Sequence, residues 1–280
     1  MKRFASDQTV KIRKPYCTLS FSVASDDPLL CATLRAFYRN CLADTRTDAE
    51  ESALYRMCYS SRDGVFQYQP PEETVREKKT SPSEALICIE NLIYLNTCIL
   101  PSVFALHGAV LAKADKAYLL MGETEAGKST LTAYLAHRGY EYISDDEIFY
   151  SIDQKCILPA RKPLQLRDGG RAVLEQAGIS LGQRCETVAY GGTNRHLLHF
   201  DNITAHPAYR IGGIYFLRRG PQTYLRQVSK FQAFAMIMKG QLVVQCYDRA
   251  LHETIRKLAA EKIYELGYDT LWTAEKLLEN

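Results

Sequence analysis

The sequence has no run of apolar residues long enough to cross a bilayer. Its richest stretch, residues 85–100, is interrupted by Glu90, Asn91 and Asn96, whereas a span needs about 20 apolar residues. It also lacks any C-x-x-C pair, although it holds nine cysteines (Cys17, Cys31, Cys41, Cys58, Cys88, Cys98, Cys156, Cys185 and Cys246). That excludes the usual zinc and dithiol redox patterns. Scattered and odd in number, these cysteines fit a reducing cytosol, where free cysteine behaves as a small buried apolar side chain. No apolar run follows the charged start Met1-Lys2-Arg3, so no secretory signal is expected and the chain is expected to be cytoplasmic. Nor does one sign of charge dominate: 35 basic against 32 acidic residues leave +3, too little for a nucleic-acid or membrane-surface footprint. Internal repeats and low-complexity segments are absent as well.

What remains is 280 residues, 46% hydrophobic and 24% charged, the composition of a folded protein of one or two domains. Residues 1–80 read as short strands and loops with a helix near 29–41, followed by a polar linker over 69–80. Ser81-Pro82-Ser83-Glu84 is a capping box with proline at the first helical position. The helix it opens carries Ala85, Leu86, Ile89, Leu92 and Ile93 at helical spacing. From 101 onward short apolar strands alternate with helices, an α/β signature. Strands are expected at 103–111, 116–121, 141–144 and 211–217, and helices at 127–138, 230–238, 248–265 and 271–278, the last with Trp272 facing inward. We therefore expect two domains, an N-terminal α+β region over 1–100, suited to docking a substrate or partner, and a catalytic domain over 101–280.

The strongest signal is Gly122-Glu123-Thr124-Glu125-Ala126-Gly127-Lys128-Ser129, which satisfies G-x-x-x-x-G-K-[ST] between a strand and a helix. Glycine at 122 and 127 lets the chain turn tightly round an anion, and the helix start adds its positive end. Lys128 supplies a mobile full charge to phosphates, and the Ser129 hydroxyl is a hard oxygen suited to magnesium. These eight residues and the adjoining Thr130 are the candidate nucleotide-binding set. Glu125 stands where glycine is usual, and with Glu123 it places two carboxylates in a loop meant for a triphosphate, which should weaken affinity.

Seventeen residues after Lys128, at the end of the next expected strand, stand Asp145 and Asp146. Adjacent carboxylates at a strand end alternate in direction, so one can face a metal while the other faces an incoming hydroxyl. That division suits phosphoryl transfer, in which positioning and electrostatics dominate. His107, in Leu106-His107-Gly108-Ala109, is expected on the strand feeding towards the loop.

In order and spacing, His107-Gly108, the loop 122–129 and Asp145-Asp146 together resemble the catalytic domain of the HPr kinase/phosphorylase family. The resemblance is clearest over 107–150 and does not extend to 1–80. It implies an α/β fold, a P-loop kinase domain of the HPr kinase/phosphoenolpyruvate carboxykinase type, beside a small α+β N-terminal region. It also implies roles: Asp145 as base towards an acceptor serine, Asp146 and Ser129 as metal ligands, Lys128 as phosphate clamp and His107 as partner of the aspartates. Where family members continue with a Glu-Ile-Arg-Gly type segment, this chain has Pro159-Ala160-Arg161-Lys162-Pro163-Leu164-Gln165-Leu166. It thus looks more like the divergent branch similar to serine kinases that tailor ribosomal peptides such as lasso-peptide precursors.

Weaker signals are the basic residues Arg161, Lys162, Arg167, Arg171, Arg218 and Arg219, and a loop at 191–194 that could serve as a lid. His196 and His199 are expected on opposite faces of a strand with no further ligand. The expected function is an ATP- and Mg2+-dependent phosphotransferase acting on a serine of a peptide or protein, with self-association left open. The competing reading is an ATP-binding regulatory or assembly protein that has no phosphate acceptor, which Glu125 favours.

Overall fold

The computed structural model describes residues 8–13, 19–42, 53–100, 102–200, 208–240 and 249–279. Cys17, Cys246 and the first residue of the helix expected at 248–265 lie outside them. The chain divides into two compact units, Met1–Thr97 with Glu186–Leu197, and Cys98–Cys185 with Leu198–Asn280. The second unit is therefore not the single continuous stretch expected over 101–280.

The first unit contains β1 (Thr9–Arg13), β2 (Leu19–Ser25), α1 (Pro28–Phe37), β3 (Ala53–Ser60), β4 (Val65–Gln69), β5 (Arg76–Lys79) and α2 (Pro82–Cys98). Its sheet runs β1-β2-β3-β4-β5, with β2 and β3 parallel and the other neighbours antiparallel. β2 alternates strictly, burying Leu19, Phe21, Val23 and Ser25, the pattern of a strand with one covered face. Asp27 caps α1 by accepting from the Leu29 and Leu30 amides at 2.9 and 3.1 Å, with Pro28 in the first turn. At α2 the capping box is formed: Glu84 accepts from the Ser81 amide at 3.1 Å, and Ser81 accepts from the Glu84 amide at 3.3 Å. The expected linker at 69–80 instead contains β5, every residue of which is exposed. An edge strand needs no apolar face, so its polar sequence hides it.

The second unit continues with β6 (Val103–Leu106), β7 (Ala109–Lys113), β8 (Lys116–Met121), α3 (Lys128–His137), β9 (Glu141–Ser144), β10 (Ile148–Ser151), β11 (Cys156–Leu158), β12 (Leu164–Leu166) and α4 (Asp168–Gln176). Next come β13 (Cys185–Tyr190) and β14 (Thr193–Leu198), whose residues Glu186–Leu197 group with the first unit. The chain ends with β15 (Arg210–Arg219), β16 (Tyr224–Gln227), α5 (Lys230–Lys239), α6 (Arg249–Leu258), β17 (Ile263–Tyr268) and α7 (Leu271–Glu279).

Six strands form the main sheet in the order β16-β17-β15-β8-β7-β9. β15 runs parallel to both β8 and β17, whereas β7 is antiparallel to β8 and β9. A smaller sheet of β11, β10 and β6 is antiparallel. Neighbouring residues of the main strands enter opposite cores. Leu120, Tyr142, Tyr215, Leu217 and Leu266 pack with Leu131, Leu135 and Leu278 of α3 and α7. Leu119, Ile143, Ile214, Phe216 and Ile263 pack with Ile237 and Ile255 of α5 and α6. Helices therefore cover both faces, which explains why these strands read as continuous apolar runs. The fold is mixed α/β, and among the described residues no helix is long and apolar enough to cross a membrane.

Four further expectations change. The strand expected at 103–111 is two strands, β6 in the small sheet and β7 in the large one, parted by a bend at His107-Gly108. The helix expected to reach 265 stops at Leu258, and Ile263–Tyr268 is the buried strand β17. Trp272 is 60% exposed, not inward-facing. At 191–194, Gly191-Gly192 is a tight turn and Thr193-Asn194 already belong to β14. The seven described cysteines form no disulfide with one another.

Candidate functional site

β8 delivers the chain at Met121 into the loop, and α3 takes it up at Lys128. Two backbone conformations make this turn feasible: Gly122 has φ +150° and Gly127 φ +88°, both open chiefly to glycine. Gly127 is constrained twice over, because a Cβ there would strike the Tyr268 hydroxyl. Glu125 is also left-handed, at φ +69°, so the position where glycine is usual does adopt the backbone glycine favours. A non-glycine residue there bears a strain of roughly 1–2 kcal/mol.

The first backbone bond of α3 is from the Leu131 amide to Gly127 at 2.8 Å, and within the loop the Ala126 amide reaches Glu123 at 3.2 Å. The amides of Thr124, Glu125, Gly127, Lys128 and Ser129 donate to no acceptor among the described residues. A tight turn of unsatisfied amides at a helix N-terminus is a ready anion cradle. Glu123, Thr124 and Glu125 are exposed, and Ala126, Gly127, Ser129 and Thr130 half-buried. The Thr130 hydroxyl turns towards α4, where a Cβ on Gly170 would stand 2.9 Å from it. Glu123 pairs with Lys239 at 2.9 Å and Glu125 lies 3.6 Å from Arg167. The two loop carboxylates thus face cations of α5 and the α4 start, which relieves the repulsion expected of them.

Lys128 is buried and donates to the carbonyls of Gly122 and Glu123, both at 3.0 Å. Burial pulls its pKa below the ordinary lysine range, opposed by Asp146 and then Asp145. Those two aspartates follow β9, which joins the sheet through β7. Asp145 is buried and uses both oxygens: Ser129 donates to one at 3.0 Å and the Gln165 amide to the other at 3.2 Å. Burial raises its pKa to about 8, with the neighbouring Asp146 adding to the rise. Asp146 is exposed and left-handed, with φ +63°, a conformation aspartate tolerates better than most residues. His107 Nδ1 lies 3.1 Å from the Asp146 carbonyl, and its backbone amide donates to Gly240 at 2.8 Å. The histidine contacts the aspartate's backbone, and it does so from the bend, not from within a strand.

All the candidate residues thus belong to one unit, and hydrogen bonds directly join Ser129 to Asp145 and His107 to Asp146. Other elements hold the site in place without having announced themselves in the sequence. Tyr268 of β17, two strands away from β8 on the face covered by α3, donates to the Ala126 carbonyl at 2.7 Å and clamps the loop. Lys162, one of the basic residues noted as a weaker signal, forms a buried ion pair with Glu147 at 3.0 Å, while Tyr142 donates to its carbonyl at 2.9 Å. The segment 159–166 therefore buttresses Asp145-Asp146-Glu147 through Lys162 and the Gln165 amide. Tyr268 falls in the gap between the helices expected at 248–265 and 271–278, where no element is expected. A lysine among prolines and arginines gives no hint of burial.

Neither the scan of protein-family models nor the search of curated proteins returns a match. Among solved structures, the chain is similar to the HPr(Ser) kinase/phosphatase from Coxiella burnetii at a TM-score of 0.30 and 12% identity, over 63% of this chain and 88% of that one. So slight a likeness decides nothing about chemistry, which rests on the geometry of the loop and the aspartates. Among the described residues no group of three or more His, Cys, Asp or Glu side chains is arranged to hold a metal ion. Magnesium does not require such a cage, because it keeps waters and is held by one or two carboxylates together with substrate phosphates. The bonded Ser129 hydroxyl and Asp145 carboxylate are hard oxygen donors beside an anion cradle, and they fit that mode.

Proposed function

We propose that the second unit is an ATP- and Mg2+-dependent kinase that transfers the γ-phosphoryl group to a serine hydroxyl of a peptide or protein. The observation that carries this reading is the Ser129–Asp145 hydrogen bond at the mouth of a loop most of whose amides lack acceptors among the described residues. The loop amides hold the phosphate chain, and Lys128 turns from the carbonyls of Gly122 and Glu123 to the β- and γ-phosphates. Ser129 and Asp145 would hold magnesium, which would supply charge neutralisation to those phosphates.

The geometry favours exchanging the roles that the resemblance implies for the two aspartates. Asp145 is buried with both oxygens engaged, next to Ser129. Asp146 is the exposed carboxylate, open to an acceptor hydroxyl. We therefore assign Asp146 as the group that takes the serine proton as the oxygen attacks phosphorus, and Asp145 with Ser129 as the metal-side pair. His107 fixes the Asp146 backbone by its contact with the carbonyl.

The test is incubation with γ-labelled ATP, magnesium and serine-containing peptides, combined with calorimetric nucleotide binding. Lys128→Ala should weaken nucleotide binding by about 100-fold or more. Asp146→Asn should keep nucleotide binding and lose transfer by about 100-fold or more. Asp145→Asn should instead lose the magnesium-dependent part of binding. Transfer at the native rate by Asp146→Asn sinks the base assignment. Nucleotide binding with no labelled acceptor across a broad peptide set would favour the regulatory reading.

A further inference from the structure

The loop 122–129 has unlike neighbours on its two sides. Beyond β7, the end of β9 carries Asp145 and Asp146. On the other side lie the ends of β15 and β17: the Leu217 carbonyl comes within 3.1 Å of where a Gly122 Cβ would be, and Tyr268 reaches the Ala126 carbonyl. If the loop binds a nucleotide as proposed above, its terminal phosphates belong with Ser129 and Asp145, the residues that would hold magnesium. The nucleoside end must then leave the loop on the opposite side, over β15 and β17.

Three arginines stand there, and two are already neutralised. Arg218 donates to Glu265 at 3.0 Å, and Arg226 pairs with the other oxygen of the same carboxylate. Arg219 is exposed and its guanidinium has no ion pair or hydrogen bond among the described residues. Its direction follows from strand alternation. Tyr215 and Leu217 enter the core shared with α3, so Arg219, two residues on, lies on the same face as the helix that starts at the loop. Arg219 pairs in register with Tyr268. It also opposes the burial that pushes the Tyr268 phenol up to about 12, and that phenol is bonded to the loop. An exposed arginine is ordinarily a solvated charge. One without a counter-ion, beside a turn of unsatisfied amides and turned to its face of the sheet, is placed to bind an anion.

We propose that Arg219 is a nucleotide-binding residue whose guanidinium holds the phosphate nearest the nucleoside. This rests on the nucleotide reading of the loop. Because that phosphate is common to ATP and ADP, Arg219→Ala should weaken binding of Mg·ATP and of ADP alike, by about 10-fold. Arg219→Lys should recover part of that loss. Arg226→Ala, which removes an exposed charge from the same sheet, should leave both affinities unchanged. Titration calorimetry with ATP and ADP, on proteins shown by thermal melting to be folded, reads all of these. Native affinity in Arg219→Ala overturns the proposal, as does a loss confined to ATP, which would put the guanidinium at the terminal phosphate. If the native protein binds neither nucleotide, the reading of the loop itself has failed, and that result is distinct from both.

Discussion

In the first unit the sheet ends at β5, a strand with every residue exposed, and the buried polar groups are mainly hydroxyls such as Ser25, Thr33, Ser60 and Thr97, with Glu90 of α2 a buried carboxyl group among them. In the second unit the segments around the loop bury titratable groups: Lys128, Asp145, Glu147 and Lys162. A buried hydroxyl bonds back to its own backbone at little cost, as Thr97 does to the Ile93 carbonyl at 2.7 Å. A buried charge is tolerated only where partners surround it. The contrast teaches that the second unit gathers several buried titratable groups where chemistry is proposed, whereas the first holds them singly, as at Glu90.

Removing one partner of a buried pair is the severest way to probe that contrast. Lys162→Met leaves Glu147 buried beside Asp146 and should lower stability by about 3–5 kcal/mol, measured by denaturant unfolding. The double variant with Glu147→Leu should regain much of it. If Lys162→Met alone costs nothing, the pair does not buttress the aspartates.

Glu275 tests the same contrast through pH. Burial by itself would raise its pKa, but hydrogen bonds from Arg138 and Tyr134, both at 2.8 Å, outweigh burial and hold it below the usual glutamate range. The folded state therefore prefers the charged form. Its contribution is complete above the unfolded-state value of about 4.3 and fades as pH falls through the lower folded value. Melting temperatures of the native protein should drop across that acid window, and Glu275→Gln should flatten the drop.

Smaller effects sharpen the comparison from the other end. Glu125→Gly relieves a left-handed backbone and should stabilise the second unit by about 1 kcal/mol, a rise in melting temperature of roughly 2–4 °C. Arg76→Ala on β5 removes an exposed ion pair with Glu73 and should change stability by less than about 0.5 kcal/mol. A large loss there would mean that the first unit depends on charge after all.

What could be read in the sequence was whatever the chain encodes locally. The loop, its strand and its helix are contiguous, and both capping signals at α2 and the apolar runs of β8 and β15 report their own surroundings. Partners brought together by folding were hidden. Nothing near Tyr268 points to Ala126, 142 residues earlier, and the Gln165 amide that reaches Asp145 carries no side-chain signature. β17 was misread because Ile263-Tyr264-Glu265 continues a helical pattern, and only pairing with β15 selects the strand. Trp272 faces outward because α7 buries Ala274, Glu275 and Leu278 instead. The buried glutamate on that face follows from its two donors, which no helical wheel displays.

The close approach of Tyr268 to Gly127 makes the second glycine of the loop a residue with two locks. One is the local turn, which any L side chain would strain. The other belongs to a strand near the end of the chain and opens independently: Tyr268→Phe clears the space but gives up the bond to Ala126. A side chain at 127 thus stays strained even after its steric obstacle is gone. The two positions are epistatic in one direction only, since a change at 268 is open to the chain first, whereas a change at 127 meets both barriers at once.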